Sequence, residues 1–171
     1  MKTLLILLSG VLIIAFTACS LNSESNYRPE IQFVQNPIAN KTDTLNIFYT
    51  DLSGVYKLDT ISVGDTVRFQ LYLTGYTNYL KQFYMTESAD SVTQILLPAV
   101  SSMDSVFLPT SKYKEGKFYM AGTSTSLFFP FQYVAKKASL EAIITFSVVS
   151  DANFEYNQNS FVLKTPIIAA K

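Results

Sequence analysis

The side chains that most often carry out chemistry in proteins are scarce in this chain of 171 residues. It has no histidine, no tryptophan and one cysteine, so the commonest general base, the commonest metal ligand and any disulfide within the chain are missing. The 13 acidic residues are balanced by 13 basic ones, which leaves no excess of positive charge for a nucleic-acid backbone. We expect a non-enzymatic protein with no cofactor and no nucleic-acid partner.

Two patterns could in principle support hydrolysis. Residues 111–114 (SKYK) match the S-x-x-K pattern of serine-lysine acyl enzymes, but Glu115 and Gly116 follow at once and indicate a loop, so we interpret the match as chance. Paired carboxylates can cleave glycosides, yet the acidic residues here fall mostly at the ends of predicted strands, where turns need them. A carboxylate-dependent hydrolase is the less favoured alternative. No D-x-D-x-D-G run is present, and no metal site is predicted.

Aspartate shows a strong local pattern, since five of the seven aspartates precede a hydroxyl residue and then an aliphatic one. Aspartate, serine and threonine cap turns through bonds to the backbone, and the aliphatic residue would begin the next strand. The triplet also resembles the acceptor pattern for O-linked glycosylation of exported proteins in Bacteroides-type bacteria. The resemblance implies five candidate attachment residues, which are Thr44, Thr60, Thr66, Ser91 and Ser105.

Four tyrosines are concentrated in what the pattern predicts to be a single hairpin: Tyr72, Tyr76, Tyr79 and Tyr84. Exposed tyrosine rings can stack on sugars or anchor a protein partner, whereas packing between strands is the plainer interpretation. This hairpin is the predicted interaction surface, and a glycan or an envelope protein is its predicted partner.

The first 18 residues have the layout of a secretory signal. Lys2 gives a basic start, and residues 4–16 are apolar apart from Ser9 and Gly10. This apolar stretch is shorter than the ~20 residues that a transmembrane helix needs. We therefore expect residues 1–18 to be removed.

Residues 16–19 (FTAC) resemble the bacterial lipobox, whose cysteine becomes the first mature residue and carries acyl chains. The resemblance implies that Cys19 is lipidated and holds the protein on the membrane, because two acyl chains suffice for stable anchoring. A simple signal peptide cut near Ala18, leaving a spare thiol, is the alternative. In Bacteroides-type lipoproteins an acidic run after the cysteine marks export to the cell surface, and here only Glu24 is present. This implies an outer-membrane anchor facing the periplasm, with the cell surface as the other possibility.

The mature chain divides into a tether and one domain. Residues 19–29 are mostly polar and predict a flexible tether, whereas residues 30–171 contain short apolar runs separated by clusters of Asn, Asp, Ser, Gly and Pro. Many short strands without helices predict an all-β fold, namely a single antiparallel β-sandwich of the immunoglobulin-like type. Pro130 predicts an edge or a bulge in its strand, because proline cannot donate to a ladder.

Alternation along two segments predicts the core. Phe69 and Leu71 share one face of their strand, with Arg68 on the other, and the run 140–148 alternates in the same way. We expect Phe69, Leu71, Ile144 and Phe146 to meet between two sheets.

Residues 58–69, with 147–152 and 161–166, are similar to the immunoglobulin-like domains of small Bacteroides-type envelope lipoproteins. The resemblance implies a location in the bacterial cell envelope and transfers no site. The resulting hypothesis is a lipid-anchored, non-catalytic protein that acts through binding or assembly. A glycan-binding accessory lipoprotein is the alternative.

Overall fold

The structure is a computed structural model that describes residues 27–50, 54–88 and 92–170. In chain order the strands of these residues are β1 (Glu30–Phe33), β2 (Ile38–Ala39), β3 (Asp43–Thr44), β4 (Ile47–Tyr49), β5 (Val55–Leu58), β6 (Ile61–Ser62), β7 (Thr66–Thr74), β8 (Leu80–Glu87), β9 (Thr93–Leu96), β10 (Lys117–Tyr119), β11 (Ser126–Ala135), β12 (Ser139–Ser150) and β13 (Gln158–Ile168). The helical parts described are one α-turn at Val100–Met103 and two 3-10 turns at Tyr113–Glu115 and Phe154–Tyr156.

The strands form two sheets. The first has the order β3-β2-β7-β11-β9, with β1 also paired to β7, and the second has the order β10-β8-β12-β13-β5-β4, with β6 also paired to β13. Most pairs are antiparallel, but β5 and β6 run parallel to β13. The chain crosses between the sheets repeatedly, from β3 to β4, from β6 to β7 and from β7 to β8. The fold is therefore an all-β, immunoglobulin-like sandwich, as predicted.

The core lies between the sheets and is built from alternating strand positions. Phe69 and Leu71 of β7 are buried in the first sheet, and Ile144 and Phe146 of β12 are buried in the second. Arg68, between the inward-facing positions of β7, is exposed. The predicted core is thus confirmed, and aromatic rings fill its centre, where Phe146 lies between Phe83, Phe131 and Phe161.

Pro130 lies where β11 has an open edge. β11 pairs with β7 along residues 126–134 but with β9 only from Gln132 onward. The partner of Pro130 on β7 is Gln70. The Gln70 carbonyl points away from β11, because it accepts a hydrogen bond from Val34 N on the other side of β7, at 2.9 Å. The proline nitrogen therefore faces the open edge, where no ladder bond is lost. Of the two alternatives predicted from the sequence, an edge or a bulge, the structure has an open edge at Pro130.

Candidate functional site

The four tyrosines predicted to form one surface do not share a hairpin. Tyr72 lies on β7 in the first sheet and Tyr84 on β8 in the second, and the chain between these strands crosses the sandwich. β7 pairs with β1, β2 and β11, whereas β8 pairs with β10 and β12. The predicted hairpin is wrong, because alternation identifies the buried face of a strand and not its partner. Tyr72 and Tyr84 point away from the core on opposite faces.

Tyr76 and Tyr79 lie in the connection from β7 to β8, at one end of the sandwich. The same end carries the start of β1, the loops before β5 and β11, and the loop between β12 and β13. Backbone bonds join these loops, from Gly75 N to Thr125 O at 2.8 Å and from Asp151 N to Tyr79 O at 3.0 Å. We call this the tyrosine-rich end. Its exposed tyrosines, each between 38% and 64% exposed, are Tyr27, Tyr49, Tyr76, Tyr79 and Tyr156.

A polar groove of about 540 Å³ opens at the side of this end, between β1 of the first sheet and β4, β5 and β13 of the second. Tyr49 and Tyr56 contribute its aromatic rings, with centroids 5.0 Å apart. The ring of Tyr56 is itself supported by Phe161, at 4.9 Å. The polar lining consists of Arg28, Glu30, Gln32, Asn159 and Ser160. A smaller hollow of about 350 Å³ continues beyond Arg28 along the loop that precedes β13.

The groove offers both hydrogen-bond donors and acceptors. Glu30 Oε2 accepts a bond from Gln32 Nε2 at 2.6 Å. The Tyr76 hydroxyl also bonds Glu30, and this bond together with burial raises the pKa of Tyr76 to about 12. Arg28 lies 5.9 Å from the ring centre of Tyr156, and among the described residues no carboxylate is in ion-pair range of its guanidinium. The groove can therefore hold a polar ligand through its amide, guanidinium and carboxylate groups.

A second cavity of about 520 Å³ opens between β8 and β9, and Glu87 and Glu115 both contribute to its lining. Glu115 pairs with Lys117 at 2.9 Å and with Lys112 at 3.7 Å, and the Lys117 bond holds the pKa of Glu115 below its usual value. Glu87 accepts a bond from the Thr93 hydroxyl. A glycosidase pair needs one carboxyl that keeps its proton near neutral pH. Glu115 is held in its charged form, so it is not the carboxyl of such a pair that keeps its proton.

The serine-lysine pattern at residues 111–114 has no catalytic geometry. Ser111 Oγ accepts a bond from Tyr119 N at 2.9 Å. Only a 3-10 turn, Tyr113–Glu115, follows the serine, so Lys114 is not placed one α-helical turn after it. The hydroxyl supports the backbone of β10, which agrees with the interpretation of the match as chance.

Two aspartates of the repeated triplets accept bonds from backbone N–H groups. Asp59 Oδ2 accepts from Asn46 N at 2.7 Å and from Asn46 Nδ2 at 2.9 Å, and Asp65 Oδ2 accepts from Ser62 N at 2.7 Å. Asp65 caps the turn between β6 and β7, as the structural explanation predicts, whereas Asp59 bonds Asn46, 13 residues away, and links the start of β4 to the end of β5.

The hydroxyl residues of the same triplets differ in their accessibility. Thr44, Thr60 and Ser105 are exposed, whereas Thr66 is half-buried at the start of β7. Ser91 lies outside the described residues. Ser105 Oγ donates to Ser102 O at 2.7 Å. Thr44 and Thr60 are therefore the most accessible of the predicted attachment residues that the structure describes.

Cys19 and the predicted signal, residues 1–18, lie outside the described residues, as does most of the predicted tether. The last residues of that tether contact the domain, since Tyr27 packs against Tyr76 with ring centroids 5.4 Å apart. No helix within residues 27–50, 54–88 and 92–170 has the length and apolar character to cross a membrane. The same residues contain no cluster of three or more His, Cys, Asp or Glu side chains that could hold a metal ion.

Sequence reasoning missed most of the groove. Tyr49, Tyr56 and Asn159 come from separate segments, and no short motif links them. Two features of the sequence relate to the groove: the chain has 11 tyrosines, and a stretch rich in asparagine precedes β13. Neither signal indicates that these segments meet at one end of a sandwich.

Comparison with known proteins gave structural similarity only. No protein-family model and no curated protein matches the sequence. The fold is similar to domains 4 and 5 of the S-layer protein SbsC, with 11% identity, a TM-score of 0.35 and coverage of 78% of this chain and 48% of that one. The ASH/PapD-like domain 7 of human CEP192 has 10% identity, a TM-score of 0.38 and coverage of 74% and 87%. The collagen-binding domain of a Staphylococcus aureus adhesin has 12% identity, a TM-score of 0.36 and coverage of 59% and 87%. This chain thus spans about half the length of the S-layer chain.

Proposed function

We propose that this protein is a lipid-anchored, non-catalytic binding protein of the bacterial cell envelope, and that it holds a glycan in the groove at the tyrosine-rich end. The observation that carries the proposal is the groove itself, where two tyrosine rings lie beside guanidinium, amide and carboxylate side chains. Its volume of about 540 Å³ falls within the range of small-ligand sites, ~300–1,000 Å³.

The chemistry of the lining matches that of a sugar. A sugar ring has an apolar face, which can stack on tyrosine, and a rim of hydroxyls, which both donate and accept hydrogen bonds. Tyr49 is half exposed and presents such a ring, while Arg28 and Gln32 supply donors and Glu30 supplies an acceptor. Tyr56 is held by Phe161 and Phe33, which limits the entropy that the ring would lose on binding.

Replacing Tyr49 with alanine should weaken glycan binding by about tenfold, which corresponds to about 1.4 kcal/mol. Titration of neutral and acidic oligosaccharides, followed by tyrosine fluorescence and calorimetry, measures the effect. Tyr79→Ala is the matched control, because Tyr79 is exposed at the same end but does not line the groove. If no oligosaccharide binds, or if the two variants lose binding equally, the groove is not a glycan site and a protein partner is favoured.

Cys19→Ala should move the protein from the membrane fraction to the soluble fraction, because the proposed acyl chains would be absent. Fractionation of a bacterial host, with a high-salt wash to remove peripheral proteins, checks this result. A variant that stays with the membrane after the wash would contradict lipid anchoring. Protease accessibility on intact cells distinguishes the proposed periplasmic face of the outer membrane from the cell surface.

O-linked glycans are expected on at least one of the predicted attachment residues when the host has such a pathway. Thr44 and Thr60 are the first candidates, because both side chains are exposed. The intact mass of the native protein should exceed the mass of the same chain made in a host without the pathway. Equal masses, after subtraction of the lipid, would eliminate this modification.

A further inference from the structure

Four aromatic side chains lie in two pairs where the first sheet meets the tyrosine-rich end. Tyr72 of β7 and Phe128 of β11 lie side by side on the outer face of the sheet, with ring centroids 5.0 Å apart. Tyr27 and Tyr76 form a second pair, at 5.4 Å. We call these four residues the aromatic patch. Phe128 is 57% exposed, and Tyr27 and Tyr76 are also exposed, so much of the patch faces solvent.

The described part of the chain begins in this patch. Tyr27 follows eight residues that start at Cys19, and a fully extended chain spans at most ~3.6 Å per residue. The tether can therefore place the patch no more than ~29 Å from the attachment point. The opposite end of the sandwich, where β12 begins and β13 ends, is separated from the patch by the length of these strands.

We propose that the aromatic patch contacts the bilayer surface and orients the sandwich with its tyrosine-rich end toward the membrane. Tyrosine suits this position, because its ring is apolar and its hydroxyl remains in contact with water and headgroups. Phe128 supplies an apolar side chain that gains free energy on leaving water. This inference rests on the proposed attachment at Cys19 and is independent of the glycan groove.

The charges around the patch are compatible with a lipid surface. Glu30, its nearest acidic neighbour, accepts bonds from Gln32 and Tyr76. Lys81 and Asp151, at the same end, form an ion pair at 3.9 Å. Arg28 follows Tyr27 in the chain, but its side chain lines the groove and lies over the ring of Tyr156. The groove would then open beside the membrane, within reach of ligands held at its surface.

A tryptophan reporter tests this orientation, because the chain has no tryptophan of its own. Tyr76→Trp and Phe128→Trp each place a single indole in the patch. Leu140→Trp is the matched control, since Leu140 is 97% exposed at the opposite end of the sandwich. The full chain is reconstituted in vesicles of phosphatidylethanolamine and phosphatidylglycerol, with or without brominated acyl chains. If the chain is recovered in the soluble fraction, it is attached to the same vesicles through a maleimide lipid. The maleimide reacts with Cys19, which is the sole cysteine of the chain.

Brominated lipid should quench the emission of both patch reporters at least twofold more strongly than that of the Leu140→Trp control, and their emission should shift to shorter wavelength. Equal quenching of all three, or none, would overturn the proposal and leave the patch to a protein partner. Coupling through Cys19 keeps the tether in place even if cells do not acylate it. A failure of the patch is thus distinguishable from a failure of lipid anchoring.

Discussion

Replacing Phe146 with alanine is expected to lower the free energy of unfolding by about 3–5 kcal/mol. The Phe146 ring is fully buried on β12 and lies 4.9 Å from Phe161, 5.7 Å from Phe131 and 6.4 Å from Phe83, measured between ring centroids. Truncation removes its contacts with both sheets and leaves a cavity that packed aromatic neighbours cannot easily fill. Such a loss is a large fraction of the ~5–15 kcal/mol that stabilises an ordinary domain.

Urea unfolding followed by circular dichroism measures this change. Leu140→Ala is the control, because Leu140 lies on the same strand but is almost fully exposed, and its change should stay within about 0.5 kcal/mol. A loss below about 1 kcal/mol for Phe146→Ala would show that the side chain is not in the core. The register of β12 would then be wrong, since a shift by one residue exchanges its two faces.

Gly116→Ala is expected to destabilise the protein by about 2–5 kcal/mol, the sum of backbone strain and overpacking. Gly116 follows the 3-10 turn Tyr113–Glu115 and has a φ of 65°. A Cβ at this position would lie 1.9 Å from the carbonyl oxygen of Met85. The backbone of Gly116 also accepts a bond from Met85 N at 2.9 Å, so any movement away from Met85 weakens that bond.

Gly64→Ala separates the two causes of that loss. Gly64 also has a positive φ, 97°, but a Cβ there would meet no atom within 4 Å. Its substitution should therefore cost only the backbone strain, about 1–2 kcal/mol. Thermal unfolding of the two variants in parallel tests the comparison. Equal losses would show that the close approach of Gly116 to Met85 is absent in solution.

The proposed binding surface was only partly accessible from the sequence. The density of tyrosines along the chain predicted one surface. Two of these residues, Tyr76 and Tyr79, lie together at the tyrosine-rich end, but Tyr72 and Tyr84 lie on opposite faces of the sandwich. Tyr27 falls in the segment that composition assigns to the tether, yet its ring packs against Tyr76. Local spacing cannot reveal such groupings, because they join loops that are distant along the chain.

The sequence by itself determined the fold class, the inward faces of the long strands and the absence of a ladder donor at Pro130. These properties are local. Successive side chains of a strand point to opposite faces, and proline has no backbone N–H to donate to a neighbouring strand. The order of the strands in each sheet, and therefore the assembly of the groove and the aromatic patch, was decided only in the tertiary structure. Strand pairing depends on contacts between distant segments, such as β5 with β13, and many pairings satisfy the same alternation of buried and exposed residues.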